Sequence, residues 1–148
     1  MPNDTEFDLI LVGGGLASSL IAWRLALDRP EVRVCVIERD GALGGNHTWS
    51  IFDSDVAAAD REWLSPAIGH RWPDGYEVYF PRRKRTLNTG YSSLTSERLH
   101  AAVAPLLADR LIGGEAVVVD SQGVTGSDQR RLVALCVRVE GGHTRTLG

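Results

Sequence analysis

Phe7-Asp8-Leu9-Ile10-Leu11-Val12-Gly13-Gly14-Gly15-Leu16-Ala17-Ser18 opens the stretch whose reading decides the fold, and Val32-Arg33-Val34-Cys35-Val36-Ile37-Glu38 closes it. An apolar run enters a glycine triplet, an apolar helical pattern fills Leu16 to Leu27, and a β-branched run ends on an acid. Strand, glycine turn, helix, strand and carboxylate in that order form a dinucleotide-binding βαβ unit. Gly13 supplies a sharp turn because glycine tolerates positive φ. Gly15 lets a pyrophosphate approach the backbone, and the helix from Leu16 and Ala17 aims free N–H groups and its positive dipole end at that phosphate. Ser18 stands where the general fingerprint has its third glycine, and the helix is apolar nearly all round, as for packing on a sheet. Asp28-Arg29-Pro30 ends it. Glu38 lies 20 residues after Ser18. Its carboxylate suits the two hydroxyls of an adenosine ribose and repels a 2′-phosphate, which favours FAD or NAD over NADP.

The remaining composition narrows the class. At 148 residues, 43% hydrophobic and 24% charged, with a net charge of −3, the chain is sized for one soluble domain and offers no general attraction for nucleic acid. Cys35 and Cys136 each sit in a β-type run, where a thiol is ordinarily a small core hydrophobe. Neither has the CxxC or Cys/His spacing of a disulfide framework or metal site. A reducing, cytoplasmic setting fits. The start, Met1-Pro2-Asn3-Asp4-Thr5-Glu6, is acidic where a signal peptide is basic. The uncharged run Leu9 to Trp23 is too short for a membrane span and is interrupted by the triplet.

After the acid comes Gly41-Ala42-Leu43-Gly44-Gly45-Asn46-His47-Thr48-Trp49-Ser50, glycines followed by polar and aromatic groups. Two readings of His47 stay open here, a surface histidine and a cofactor or substrate contact. Gly44 to Ser50 closely resembles a motif of bacterial lycopene cyclases, flavoproteins that close β-ionone rings on carotenoids. Trp63-Leu64 and His70-Arg71-Trp72-Pro73 resemble that family's tryptophan-rich segment. Leu87-Asn88-Thr89-Gly90-Tyr91 with Leu94-Thr95-Ser96-Glu97-Arg98 resembles its Asn-Ser-Gly-Tyr and Thr-Ser-Glu-Arg block. The likeness runs from Phe7 to about Val137, and the 44–50 and 87–98 motifs are its specific part.

The resemblance implies an α/β fold: a Rossmann-like FAD-binding βαβ sheet with an antiparallel β-meander, an incomplete two-dinucleotide-binding-domain flavoprotein in which residues 1–148 form the N-terminal FAD-binding region. It implies a lycopene beta-cyclase activity of the isomerase or intramolecular lyase class, using reduced FAD with NADPH as reductant and lycopene or a related acyclic carotenoid as substrate. The implied cofactor contacts are Gly13, Gly14, Gly15, Leu16, Ala17, Glu38, Arg39, Gly44, Gly45, His47, Thr48, Arg98 and Val117. No catalytic residue is assigned within the chain, because the family's acid is expected beyond Gly148, and no metal is expected. A flavin- or NAD-dependent oxidoreductase of ordinary hydride chemistry shares Phe7 to Glu38 but leaves the two motifs unexplained. A non-catalytic remnant is the other alternative.

Between the motifs, Asp53 to Leu64 reads as a short helix capped by Asp53 or Ser54. Tyr76 to Phe80 alternates like a strand and Pro81 ends it. Arg82-Arg83-Lys84-Arg85 reads as a solvated loop or strand edge, with cofactor phosphate or an anionic membrane surface as alternative partners. Peripheral contact with the inner membrane face would suit a lipid-soluble polyene. A helix from Thr95 carries Leu99, Ala102, Val103, Leu106 and Leu107 on one stripe, with Pro105 set to kink or break it. Arg98 lies in its first turn, against the dipole, which points to a phosphate or to a surface pair with Glu97 or Asp109. Ala116 to Val119 and Leu132 to Val139 read as strands around a turn-rich Gly123 to Arg131. Related cyclases carry an Asp-Gly turn near the end of the last strand, and Glu140-Gly141 stands near that place here. The ending is read as a truncation or frame change, so the chain alone is expected to be inactive and to bind FAD poorly.

Overall fold

The computed structural model describes residues 7–120, 134–139 and 144–147. In chain order the elements are β1 (Leu9–Val12), α1 (Leu16–Asp28), β2 (Val34–Glu38), β3 (Thr48–Phe52), α2 (Ala58–Leu64), β4 (Ile68–Trp72), β5 (Tyr76–Phe80), β6 (Arg83–Leu87), β7 (Tyr91–Thr95), α3 (Ser96–Leu107), β8 (Leu111–Asp120), β9 (Ala134–Val139) and β10 (Thr144–Leu147). They form two compact units, Met1–Gly45 with Val103–Gly148, and Asn46–Ala102.

The first unit is a five-stranded sheet in the order β1-β2-β8-β9-β10. β1, β2 and the start of β8 run parallel, with Ile10 opposite Cys35 and Ile37 opposite Ile112. β2 is buried at Val34, Cys35, Val36 and Ile37 in succession. A continuous apolar run of that kind is what a parallel strand covered on both faces requires. Cys35, Ile37, Ile112 and Leu147 form one buried cluster, against which Phe7, Ile10 and Ala116 pack. Cys35 therefore serves as the core hydrophobe its context suggested.

β8 is longer than the sequence signals. The strand expected from Ala116 begins at Leu111, and its first three residues supply the third parallel strand. From Gly114 onward it turns antiparallel partner to β9, with a register shift between Ala116 and Val118. Gly113-Gly114 therefore lies within a strand that changes partners, where the absence of side chains eases the twist. β9 corresponds to the expected Leu132–Val139 strand, and β10 pairs antiparallel with it beyond any strand expected. The turn-rich Gly123 to Arg131 lies outside the described residues.

α1 also departs from its reading. Only Ser19, Ala22 and Trp23 are buried, while Ile21 and Leu27 are about half exposed. A helix meets a sheet along one stripe, and small residues at i and i+3 make that stripe a close one, so the other apolar positions face outward. α3 runs through Pro105 without breaking and ends two residues later. The missing N–H removes the intrahelical bond to the Ala101 carbonyl, and the helix stops within a turn of that loss. Ala108 then takes a left-handed φ of 50°, and Arg110 donates to the Leu106 and Leu107 carbonyls at 2.8 and 3.3 Å. Together these satisfy the open end of the helix.

The second unit holds a three-stranded antiparallel sheet, β3-β7-β4, and a separate β5-β6 hairpin. Leu94 is buried at the sheet centre, opposite both Trp49 and Ile68. The helix expected from Asp53 is divided. A 3-10 turn covers Asp53–Asp55, and α2 starts at Ala58 with Ala57 at its N-cap. Neither Asp53 nor Ser54 caps it. The carboxylate of Asp55 instead accepts from the Phe52 N–H at 2.8 Å, closing the 3-10 turn. No described helix is long and apolar enough to cross a membrane.

Candidate functional site

The glycine triplet holds three residues with three different constraints. Gly13 has φ +88° and donates its N–H to the Ile37 carbonyl at 2.8 Å, which ties the turn to β2. Gly14 is enclosed: a Cβ there would stand 2.8 Å from Leu43 Cδ2 and 3.1 Å from Glu38 Cβ. Gly15 is open, with nothing within 4 Å of an added Cβ. It is also the N-cap of α1, with no side-chain cap and no acid in the first turn. The first intrahelical bond runs from Ser19 N to Gly15 O at 2.9 Å, so the N–H groups of Leu16, Ala17 and Ser18 have no intrahelical acceptor. Open space in front of unpaired N–H groups at a helix N-terminus suits a phosphate group.

Two supports under this turn escape the sequence reading. Ser19 is fully buried and its hydroxyl donates to the Gly14 carbonyl at 3.1 Å. Ser19, not Ser18, is thus the small residue locked against the turn. The Gly41–Gly45 loop folds beneath it, with Leu43 buried against Gly14 and Gly44 N–H donating to the same carbonyl at 2.7 Å. Gly44 and Gly45 have φ of +84° and +57°, conformations that favour glycine. The signal that could have found these supports was the apolar Leu43 set between glycines.

Glu38 ends β2 as expected, but one of its oxygens is already engaged. Oε2 accepts from the Gly14 N–H at 2.6 Å, which braces the turn, and Oε1 lies 3.4 Å from the Asp40 N–H. Beside it is a cleft of about 440 Å³ lined by Val12, Gly13, Glu38, Arg39, Asp40 and Gly114 with their neighbours Ile37, Glu115 and Ala116. Arg39, in the turn just after β2, is exposed and pairs with Glu115 of β8 at 3.6 Å, so a cation and an anion stand at the same cleft. Val117 falls at the register shift of β8, one residue beyond the lining. Gly114 to Ala116 are the β8 residues that line the cleft. Their signal was the Gly113-Gly114 pair, which read as a loop before a strand.

The other expected contacts lie in the second unit. Thr48 pairs with Thr95 across β3 and β7, and the Ser96 N–H donates to the His47 carbonyl at 3.0 Å. The motifs at 44–50 and 87–98 are thus the two strands of one antiparallel pair. His47 is exposed, with its ring 5.8 Å from that of Trp49. Arg98 is the third residue of α3, its N–H 3.4 Å from Thr95 Oγ1, and it makes no ion pair with Glu97. Phe52, Tyr91 and Trp72 stand in one row across β3, β7 and β4, with ring centroids 5.4 Å apart at each step. Tyr76 joins the row 5.2 Å from Tyr91. Gly90 is fixed by the same packing, because a Cβ there would collide with the Asp53 carboxylate.

Comparison with known proteins agrees with both units. The solved structures of "Native and K252c bound RebC-10x" and of an aklavinone-11 hydroxylase in ternary complex with FAD and aklavinone superpose with TM-scores of 0.62 and 0.57. They are 15% and 16% identical, cover 96% and 98% of this chain, and are themselves covered to 30% and 32%. At such identity they show the fold alone, a Rossmann-like α/β sheet with antiparallel strands. A lycopene beta-cyclase of Pseudescherichia vulneris is 44% identical over 140 residues, covering 81% of this chain and 36% of the relative. That of Pantoea ananas is 48% identical over 93 residues, covering 63% and 24%. The chain therefore spans little more than a third of the curated relatives it matches. The profile of the family described as "Lycopene cyclase protein" matches residues 8–145, and the chain belongs to that family.

Proposed function

We propose that this chain is the adenosine- and pyrophosphate-binding part of a lycopene beta-cyclase that works with reduced FAD. The single observation that carries the cofactor reading is the open Gly15 at the uncapped start of α1, beside the Glu38 cleft. The site suits the group: Gly15, Leu16 and Ala17 would hold the pyrophosphate, and Glu38 with Arg39 the adenosine. Glu38 braces the Gly14 N–H with one oxygen and presents the other toward a ribose hydroxyl. Gly44 and Gly45 support the turn from below, while His47, Thr48, Arg98 and Val117 remain part of the proposed cofactor set.

The proposed reaction is redox-neutral. A carboxylic acid from the part of the relatives that this chain does not span protonates an end-group double bond of lycopene. The carbocation closes a six-membered ring and a proton is lost, so the enzyme is of the isomerase or intramolecular lyase class. Reduced FAD, kept so by NADPH, supplies electrostatic stabilisation of the cation without net electron transfer. A lipid-soluble polyene is best reached from a membrane surface, so we place the protein in the cytoplasm with peripheral contact at the inner membrane face. Only the two motifs of the second unit separate this reading from hydride chemistry, and they come together as β3 and β7.

Two experiments test the proposal. Amide shifts on titration with ADP should concentrate at Gly13–Ala17, Glu38–Asp40 and Gly114–Ala116, and 2′,5′-ADP should bind more weakly because Glu38 repels its 2′-phosphate. Equal binding of the two ligands would overturn the adenosine assignment. Replacing the matching segment of the Pantoea ananas relative with this chain should preserve ring closure in lycopene-accumulating cells. Unchanged lycopene, with the chimera folded and flavin-loaded, would sink the cyclase reading.

A further inference from the structure

The β5-β6 hairpin is the part of the molecule that the cofactor site does not use. Phe80 lies opposite Arg83 across a two-residue turn, Pro81-Arg82, so the hairpin tip carries Arg82, Arg83, Lys84 and Arg85 in succession. Four adjacent cations stand on a chain whose net charge is −3, so the charge is local to this tip. Register and strand alternation sort the side chains onto two faces. Glu77, Tyr79, Lys84 and Thr86 share one face, where Lys84 pairs with Glu77 at 2.5 Å and its ammonium lies 5.2 Å from the Tyr79 ring. That face is internally neutralised.

The opposite face holds Val78, Phe80 and Leu87 with Arg83 and Arg85. These residues, joined by Lys84 from the neighbouring position, line an open depression of about 480 Å³. Phe80 is 55% exposed, and neither arginine has an ion-pair partner among the described residues. Unpaired guanidinium groups next to an exposed aromatic ring, at the tip of a hairpin, match a surface that is anionic at the rim and apolar just beneath. An anionic bilayer has that layering, with phosphate headgroups over acyl chains. A nucleic acid supplies the charge but no apolar layer to receive Phe80 and Val78.

We infer that the tip of the β5-β6 hairpin is a docking element for an anionic lipid surface, with Arg82, Arg83 and Arg85 on the headgroup phosphates and Phe80 seated at the acyl boundary. The inference rests on the peripheral-membrane part of the proposed function and names the residues that perform it. It requires neither flavin nor turnover.

The test is flotation of the full chain with vesicles of phosphatidylcholine containing phosphatidylglycerol, compared with phosphatidylcholine alone. The chain should float with the anionic vesicles only, less so as salt is raised. Arg83→Gln and Arg85→Gln should each weaken binding about fivefold, and together about 25-fold. Phe80→Ser should weaken it severalfold at unchanged charge, while Arg24→Gln on α1 should leave it unchanged. Phe80→Trp should add an emission component that shifts to the blue on anionic vesicles. Binding that survives the double arginine variant, that falls equally with Arg24→Gln, or that ignores Phe80 and is matched by an oligonucleotide would overturn the assignment. These positions are exposed, so an unchanged circular dichroism spectrum verifies folding in each case. Failure here with ADP shifts intact removes the hairpin's role and leaves the cofactor reading standing.

Discussion

The two units present chemistry in opposite ways. In the first, the site is offered largely by backbone: unpaired N–H groups at the start of α1, the open glycine turn at Gly13 and Gly15, and the side-chain-free Gly114 of β8. In the second, what is presented is side chain: the half-buried aromatic row that ends on the exposed Trp72, the exposed His47, and the basic hairpin. Backbone chemistry leaves a general signature, because only the absence of a side chain permits it and the pattern recurs wherever a pyrophosphate is held. Side-chain chemistry leaves a particular one, readable only by likeness to a family that uses the same residues. The first unit therefore speaks for a cofactor class and the second for a family.

The comparison is tested most severely through the core of the second unit. Leu94 is 2% exposed between Trp49 and Ile68. Leu94→Ala should cost about 2–5 kcal/mol through lost burial and the cavity left behind, measured by urea denaturation. A cost below about 1 kcal/mol, the level of a surface change, would mean that the β3-β7-β4 sheet is not a packed scaffold for its motifs.

Adjacent glycines sharpen the contrast within the first unit. Gly14→Val should destabilise the fold by about 1–3 kcal/mol, because Leu43 and the Glu38 stem already occupy the space a side chain needs. Gly15→Ala should leave folding nearly unchanged and instead weaken ADP, since its Cβ meets only the open space assigned to the pyrophosphate. Equal losses of stability for both variants would remove the distinction between a packing glycine and a ligand glycine. A smaller effect is expected at Ser19→Ala. The Gly14 carbonyl keeps its bond from Gly44 N–H, so the loss should be about 1 kcal/mol by the same denaturation measurement.

How much of this was legible follows from the same division. The βαβ order, the strand bounds near Val12 and Glu38, and the positive-φ turn at Gly13 were readable because period and glycine placement are local properties. Ser19, Leu43 and the Leu111 start of β8 were not, since each depends on a partner distant in sequence. The glycines at 113 and 114 read locally as a break, yet β2 on one side and β9 on the other hold them in a strand. The α2 cap was misplaced because Asp53 and Ser54 are both good cap residues, whereas the chain there closes a 3-10 turn through Asp55 and the Phe52 N–H, and α2 starts only at Ala58. In the second unit, the pairing of β3 with β7 was invisible to periodicity and apparent only once the two motifs were seen to be partners.

The least perturbing test concerns the neutral face of the hairpin. Lys84 first, then Tyr79, hydrogen-bonds the Glu77 carboxylate and holds its carboxyl below the ordinary value of 4.5, while Glu77 raises Lys84 above 10.5. A depressed carboxyl contributes stability that is present above its unfolded pKa and lost as pH falls through the folded one. A raised ammonium contributes stability that is present below its unfolded pKa and lost as pH rises through the folded one. The two signs together give a plateau across neutral pH with a fall at each end. Both side chains lie about half exposed at the surface, so solvent screening keeps the effect small. Glu77→Gln should abolish the acid limb in a carbonyl-carbon NMR titration of the hairpin while leaving the melting temperature at neutral pH almost unmoved. A large drop in melting temperature would break the comparison, because the second unit would then depend for stability on an ion pair at its surface and not on its buried sheet.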